Sequence, residues 1–165
     1  MTERQPRPSR GMKKTGGYFV KLLKPEHVQI KDSAADWKDA IRQSILPLEK
    51  DGAVEARYKD EIIANIERLG PYIVLSEDVA LPHARPEQGV LHTQFSVTLF
   101  RQGVLFHHRE KPVRLFLALA AADRDAHLQT LESLSELLAD DARLKRMLSA
   151  KDEASLYNSF QTEGV

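Results

Sequence analysis

The chain has 165 residues, 42% of them hydrophobic and 29% charged, which suits one domain with a real core. Its 24 Lys and Arg balance 24 Asp and Glu, so no overall field favours nucleic acid or an acidic partner. With no cysteine, disulfides, zinc-thiolate sites and cysteine nucleophiles are excluded. No apolar run reaches the roughly 18 residues of a membrane-spanning helix. The N-terminus has no apolar signal core, so the chain reads as cytoplasmic, without membrane insertion.

Residues 1–17 are rich in Arg, Lys, Pro and Gly and lack an apolar period. They read as a disordered basic arm, with a folded domain over 18–165. Because no aromatic residue precedes Tyr18, the arm has little to stack on bases, and no nucleic-acid partner is expected. Residues 28–30 form a candidate first strand. Ser33 followed by Asp36 resembles a capping box. Trp37, Ile41, Ile45 and Leu48 then recur at helical spacing, with Pro47 expected to kink or end the helix.

A second helix is predicted over 56–69, burying Tyr58, Ile62, Ile66 and Leu69 and stopped by Gly70-Pro71. Residues 72–75 are strand-prone. Residues 93–100 alternate, with Phe95, Val97 and Leu99 sharing a face. Arg101-Gln-Gly103 is expected to turn the chain into 104–106, and 113–120 is apolar enough for a central strand. Helices follow over about 125–138, 141–148 and 152–160. Strand, two helices, several strands, then helices imply an α/β fold with a mixed sheet covered on both faces.

The segment Val79-Ala-Leu-Pro-His-Ala-Arg-Pro86 carries the chemistry. Pro82 removes a backbone N–H, so the run from Asp78 to Leu81 does not continue as an interior strand. Pro86 biases Arg85 away from helix. A stiff bend then holds the imidazole of His83 near a guanidinium. Imidazole serves as base, nucleophile or metal ligand near neutral pH, and guanidinium grips phosphate oxygens. Together they point to phosphoryl handling. No Gly-rich phosphate loop is present, so nucleotide is not the phosphate source.

Gly70-Pro-Tyr-Ile-Val74, then Ala80-Leu-Pro-His-Ala-Arg-Pro-Glu87 and Gly89-Val90, resemble the phosphohistidine signature of IIA components of the bacterial sugar phosphotransferase system. The mannitol/fructose type is closest, in its ascorbate-like branch. Gly103-Val104-Leu-Phe106, Pro112-Val113, and Ala120-Ala-Ala before Asp125-Ala-His-Leu128 extend the resemblance from about Lys24 to the C-terminus.

The resemblance implies a three-layer α/β/α fold around a central mixed β-sheet. It makes His83 the phosphoacceptor, through Nε2, and His127 a second histidine that stabilises the phosphoryl group. From the residues alone, His127 follows Asp125, a candidate N-cap, and helix N-termini attract anions. The implied activity is that of a phosphotransferase with a phosphohistidine intermediate. It takes phosphate from phospho-HPr and gives it to a IIB component, a cysteine phosphocarrier, during ascorbate-like sugar uptake. No cofactor and no metal is implied, and no active cysteine-type IIB domain lies within these residues.

Mannitol-type members also use an arginine in the helix before the signature. Here Asn65-Ile-Glu-Arg-Leu69 lacks their Arg-Glu pair, and Arg68 is the candidate in its place. Arg85 is a second candidate for phosphate, for a carboxylate on a partner, or simply a solvated turn residue. Leu81, Val79 and Val90 are candidates for an apolar docking rim. His107 and His108 read as a surface hairpin, with Glu87 and Glu110 nearby, and His27 and His92 as surface residues. The alternative function is a regulatory IIA-like module that senses phosphorylation state and controls a transcription factor or transporter. A metal hydrolase built on His83, His107 and His127 ranks below both.

Overall fold

The computed structural model describes residues 22–106, 109 and 111–161. The predicted basic arm over 1–17, together with His107, His108 and Glu110, lies outside the described residues. The elements are β1 (Leu23–Lys31), α1 (Trp37–Lys50), α2 (Tyr58–Leu69), β2 (Val74–Ser76), β3 (Asp78–Ala80), a 3-10 turn at Pro86–Gln88, β4 (Gln94–Val104), β5 (Val113–Ala120), α3 (Arg124–Leu138), α4 (Asp141–Leu148) and α5 (Glu153–Phe160).

The five strands form one sheet in the order β1-β4-β5-β3-β2. The β1/β4 and β5/β3 pairs are parallel, whereas β4/β5 and β3/β2 are antiparallel. The sheet is therefore mixed, as the sequence predicts, with β5 at its centre.

Side chains alternate across a strand, so each face of the sheet builds its own core. Phe95, Val97 and Leu99 of β4 join Leu115, Leu117 and Leu119 of β5 on one face, against Leu134, Leu137, Met147, Leu156 and Phe160 of α3, α4 and α5. Phe100, Phe116, Ala118 and Ala120 face the other way, onto Ile41, Ile45 and Leu48 of α1 and Tyr58, Ile62 and Ile66 of α2. This is the expected three-layer α/β/α arrangement.

Several local readings change. The cap of α1 lies three residues later than Ser33: Asp36 Oδ1 accepts from Asp39 N–H at 2.9 Å, and Asp39 Oδ2 accepts from Ala35 N–H at 2.9 Å. Pro47 does not end α1, which runs on to Lys50. A proline lacks the N–H that would serve the carbonyl four residues back. Here that carbonyl, on Gln43, accepts from Gln29 Nε2 of β1 at 2.8 Å, and the same amide also donates to Thr98 Oγ1 at 2.9 Å. The sheet thus replaces the bond that the proline removes.

Leu69 is 63% exposed rather than core; Ile63 and Asn65 are buried on α2 in its stead. The strand-prone run at 72–75 pairs only from Val74 to Ser76. Arg101-Gln-Gly103 is not a turn, because β4 continues through it to Val104, with a register shift against β5. Gly103 allows this: a Cβ there would stand 2.3 Å from Pro112 Cβ. His27 is buried, not on the surface. Its Nε2 lies 3.3 Å from Asp51 Oδ2, and burial lowers its pKa against the pull of Asp51. His92 is exposed, as predicted.

Two outcomes follow from these contacts. Gln29→Leu leaves the Gln43 carbonyl without its donor and should lower unfolding free energy by about 1–3 kcal/mol in urea denaturation. Gly103→Ala should cost about 1–3 kcal/mol by overpacking against Pro112. A variant as stable as the parent refutes the corresponding contact.

Candidate active site

The strand that leads into the candidate site is cut short by its own sequence. β3 pairs with β5 only as far as Ala80. Pro82 has no N–H to extend the ladder, yet its carbonyl still accepts from Leu119 N–H at 3.0 Å. The chain then leaves the sheet. Arg85 is extended (φ −68°, ψ 153°), as expected of a residue before proline, and Pro86–Gln88 closes a 3-10 turn.

This loop is held from α2. The fully buried Tyr58 hydroxyl accepts from Ala84 N–H at 3.0 Å and donates to the Leu119 carbonyl at 2.8 Å. Arg57 Nη2 donates to the Glu87 carbonyl at 2.8 Å. Gly89, at φ +131°, packs against Tyr58, where an added Cβ would lie 3.2 Å from Tyr58 Cβ. Both the left-handed backbone and the close approach suit glycine alone.

Within this frame, His83 Nδ1 lies 2.7 Å from the Leu81 carbonyl. A carbonyl oxygen only accepts, so in the neutral ring Nδ1 carries the hydrogen and Nε2 keeps a free lone pair. Burial lowers the His83 pKa, and His127 lowers it further, against the opposing pull of the Leu81 carbonyl. Tyr72 braces the same residue. Its hydroxyl donates to the His83 carbonyl, and its ring meets the imidazole edge-on with centroids 5.3 Å apart.

His127 reaches the site from α3, its ring centroid 5.3 Å from that of His83. The N-cap of α3 is Asp123, not Asp125: its side chain accepts from Ala126 N–H at 2.9 Å. That shift makes His127 the fourth helical residue rather than the second, and its N–H is bonded to the Asp123 carbonyl at 3.2 Å rather than free for an anion. The two imidazoles stand next to one another, their planes tilted by 41°.

Both histidines line a cleft of about 680 Å³ together with Arg68, Arg85, Arg124, Tyr72, Asn65 and Gln88. All four site residues picked from the sequence, His83, His127, Arg85 and Arg68, meet here. Arg85 is solvated and pairs with Glu87 at 3.2 Å, both side chains more than two-thirds exposed. Arg68 Nη2 bonds Asn65 Oδ1 at 3.2 Å.

Sequence reasoning missed Tyr72, Asn65, Gln88 and Arg124. Tyr72 lay inside the Gly-Pro-Tyr segment already singled out. Asn65 and Gln88 carried no signal beyond being polar residues near apolar runs. The expected rim also changes: Val79 and Leu81 are core, whereas Leu69 at the cleft mouth and Leu128 beside His127 are more than half exposed. His107 lies outside the described residues, and among those no group of three acidic, histidine or cysteine side chains could hold a metal ion.

The sequence matches the family described as phosphoenolpyruvate-dependent sugar phosphotransferase system, EIIA 2, over residues 21–163. This chain is a member of that family. It is 39% identical to the mannitol-specific cryptic phosphotransferase enzyme IIA component of Escherichia coli K12 over 78% of this chain and 88% of that protein. The solution structure of the E. coli cryptic mannitol IIA superposes with a TM-score of 0.81, at 35% identity, covering 87% of this chain and 97% of the other. An ascorbate-specific EIIA component of Mycoplasma pneumoniae is 35% identical over 84% of this chain and 89% of its own length. The E. coli complex of mannitol enzyme IIA with phosphorylated enzyme IIB aligns with a TM-score of 0.73 at 27% identity, covering 84% of this chain and 98% of that one. The chain is thus a IIA component of the mannitol and ascorbate type. Among the described residues no helix is long and apolar enough to cross a membrane.

The burial of His83 has a measurable consequence. Its ring should titrate below the ordinary 6.5, so the nucleophilic neutral form persists into mildly acid solution. An NMR titration of the His83 ring protons with a midpoint at or above 6.5 would contradict the site as described.

Proposed function

We propose that this protein carries phosphate on His83 Nε2 between phospho-HPr and the cysteine of a IIB component, in the cytoplasm, during uptake of an ascorbate-like sugar. The observation that carries this reading is the Nδ1 bond to the Leu81 carbonyl, which leaves Nε2 free in a cleft facing His127.

The neutral Nε2 lone pair attacks the phosphorus of the donor phosphohistidine. The N–P bond to the donor breaks as the new one forms, and the donor imidazole leaves with its electron pair. The hydrogen stays on Nδ1 throughout, donated to the Leu81 carbonyl, which steadies the positive charge that develops on the ring. His127 donates to a phosphoryl oxygen, while Arg68 and Arg85 offset its negative charge. In the second half-reaction the IIB thiolate attacks the same phosphorus and His83 Nε2 is the leaving group. Neither half needs metal or nucleotide, because positioning and charge supply the catalysis.

The exposed Leu69 lining the cleft, with the exposed Leu128 next to His127 in the chain, suits docking of a protein rather than a small metabolite. The regulatory alternative has no such feature in its favour, and two relatives, at 39% and 35% identity, are named as mannitol-specific and ascorbate-specific phosphotransferase components.

Incubation with phosphoenolpyruvate, enzyme I and HPr should add one acid-labile phosphate, read by intact mass. His83→Ala should abolish the label with the fold intact. His127→Ala should slow transfer roughly ten- to a hundredfold without abolishing it. Phosphate on any other residue of the His83→Ala variant would defeat the assignment.

A further inference from the structure

Asn65 and Gln88, the two amides at the base of the cleft, have no role in the reaction as written. They are nonetheless buried, at 7% and 9% exposed, and tied into one chain of hydrogen bonds. Gln88 Nε2 donates to Glu61 Oε1 at 3.0 Å and to Asn65 Oδ1 at 3.3 Å. Gln88 Oε1 accepts from Asn65 Nδ2 at 3.1 Å and from the Arg85 N–H at 3.1 Å. Asn65 Oδ1 also accepts from Arg68 Nη2 at 3.2 Å.

The two ends of this chain leave the amides no freedom. A carboxylate only accepts and a guanidinium only donates. Glu61 therefore turns the Gln88 amide nitrogen toward itself. That aims Gln88 Oε1 at Asn65 Nδ2 and the Arg85 N–H, and leaves Asn65 Oδ1 for Arg68. Flipping either amide would set donor against donor or acceptor against acceptor at a buried position, where the loss is largest. The chain joins α2, which bears Glu61, Asn65 and Arg68, to the turn that follows His83. Tyr72, bonded to the His83 carbonyl, stands where Asn65, Arg68 and Arg85 all act on its hydroxyl.

We propose that Gln88 is a positioning residue: the relay Glu61–Gln88–Asn65–Arg68 holds the Arg68 guanidinium at the His83 cleft and locks it to the backbone of Arg85. The proposal rests on the reading of His83 as phosphoacceptor. Gln88 itself touches no phosphate; it acts through Arg68.

The test uses the full chain. Gln88→Leu and Gln88→Glu are each measured in single-turnover transfer from phospho-HPr, alone and combined with Arg68→Ala, alongside melting temperatures. Neither side chain can donate to Glu61 or Asn65 Oδ1, so each should slow transfer about tenfold. In the Arg68→Ala background each should add less than about twofold, because the residue through which it acts is gone. A direct effect of charge would instead slow Gln88→Glu and spare Gln88→Leu. Should Gln88→Leu fail to fold, Gln88→Glu, which keeps both acceptor contacts, carries the comparison. Transfer at the parent rate, or a loss that multiplies with that of Arg68→Ala, overturns the relay while leaving His83 as the acceptor. A parent protein that takes no phosphate on His83 overturns the phosphocarrier reading and the relay with it.

Discussion

The buried hydroxyl of Tyr58 holds two chain segments that would otherwise part. β5 needs a partner for the Leu119 carbonyl after β3 has ended at Ala80, and the loop beyond Pro82 needs an acceptor for the Ala84 N–H. One hydroxyl serves both, donating to the first and accepting from the second. Because it is fully buried, neither group could turn to water instead, and an unpaired buried peptide group costs about 1–3 kcal/mol. The proline that breaks the strand and the tyrosine that closes the gap act together, and between them His83 leaves the sheet at a fixed place.

The contacts around the histidine differ in strength in a way that suits transfer. The Nδ1 bond to the Leu81 carbonyl is short and part-buried, so water does not compete well for it and the tautomer stays fixed. The Arg85–Glu87 pair is exposed on both sides, and such pairs contribute about 0–1 kcal/mol. Its guanidinium can therefore be drawn to an incoming phosphoryl group at little cost. Burial favours the neutral, nucleophilic form of the His83 ring. One cleft holds both the imidazole and the arginines because His83 is part-buried whereas Arg68, Arg85 and Arg124, which line the same cleft, are exposed.

The far half of the sheet is organised by substitution of one hydrogen bond for another. Pro47 would leave a hole in α1, and Gln29 of β1 fills it while also bridging to Thr98 of β4. Ser96 adds a second tie, donating to the Ser44 carbonyl at 2.9 Å. α1 is thus fastened to the sheet by polar contacts at the residues around its proline and by Ile41, Ile45 and Leu48 elsewhere. A proline inside a helix usually reads as a stop; here a glutamine on a neighbouring strand makes it tolerable.

Residues close together in sequence were enough to specify much of this protein. The alternation of Phe95, Val97 and Leu99, the helical spacing of Trp37, Ile41, Ile45 and Leu48, and the capping aspartates before the last two helices are local signals, because 2.0- and 3.6-residue periods depend only on the backbone. The bend at His83 is likewise local, set by Pro82 immediately before it and Pro86 three residues after it. Tertiary structure decided what depends on partners far along the chain. It carried Pro47 through a helix by means of Gln29, continued β4 through Gly103 with Pro112 packed close against it, and buried His27 beside Asp51. It also aimed Asn65 and Gln88 at one another across 23 residues. Hydrogen-bond direction at a buried amide is set by whatever stands opposite it, and only the folded chain supplies that neighbour.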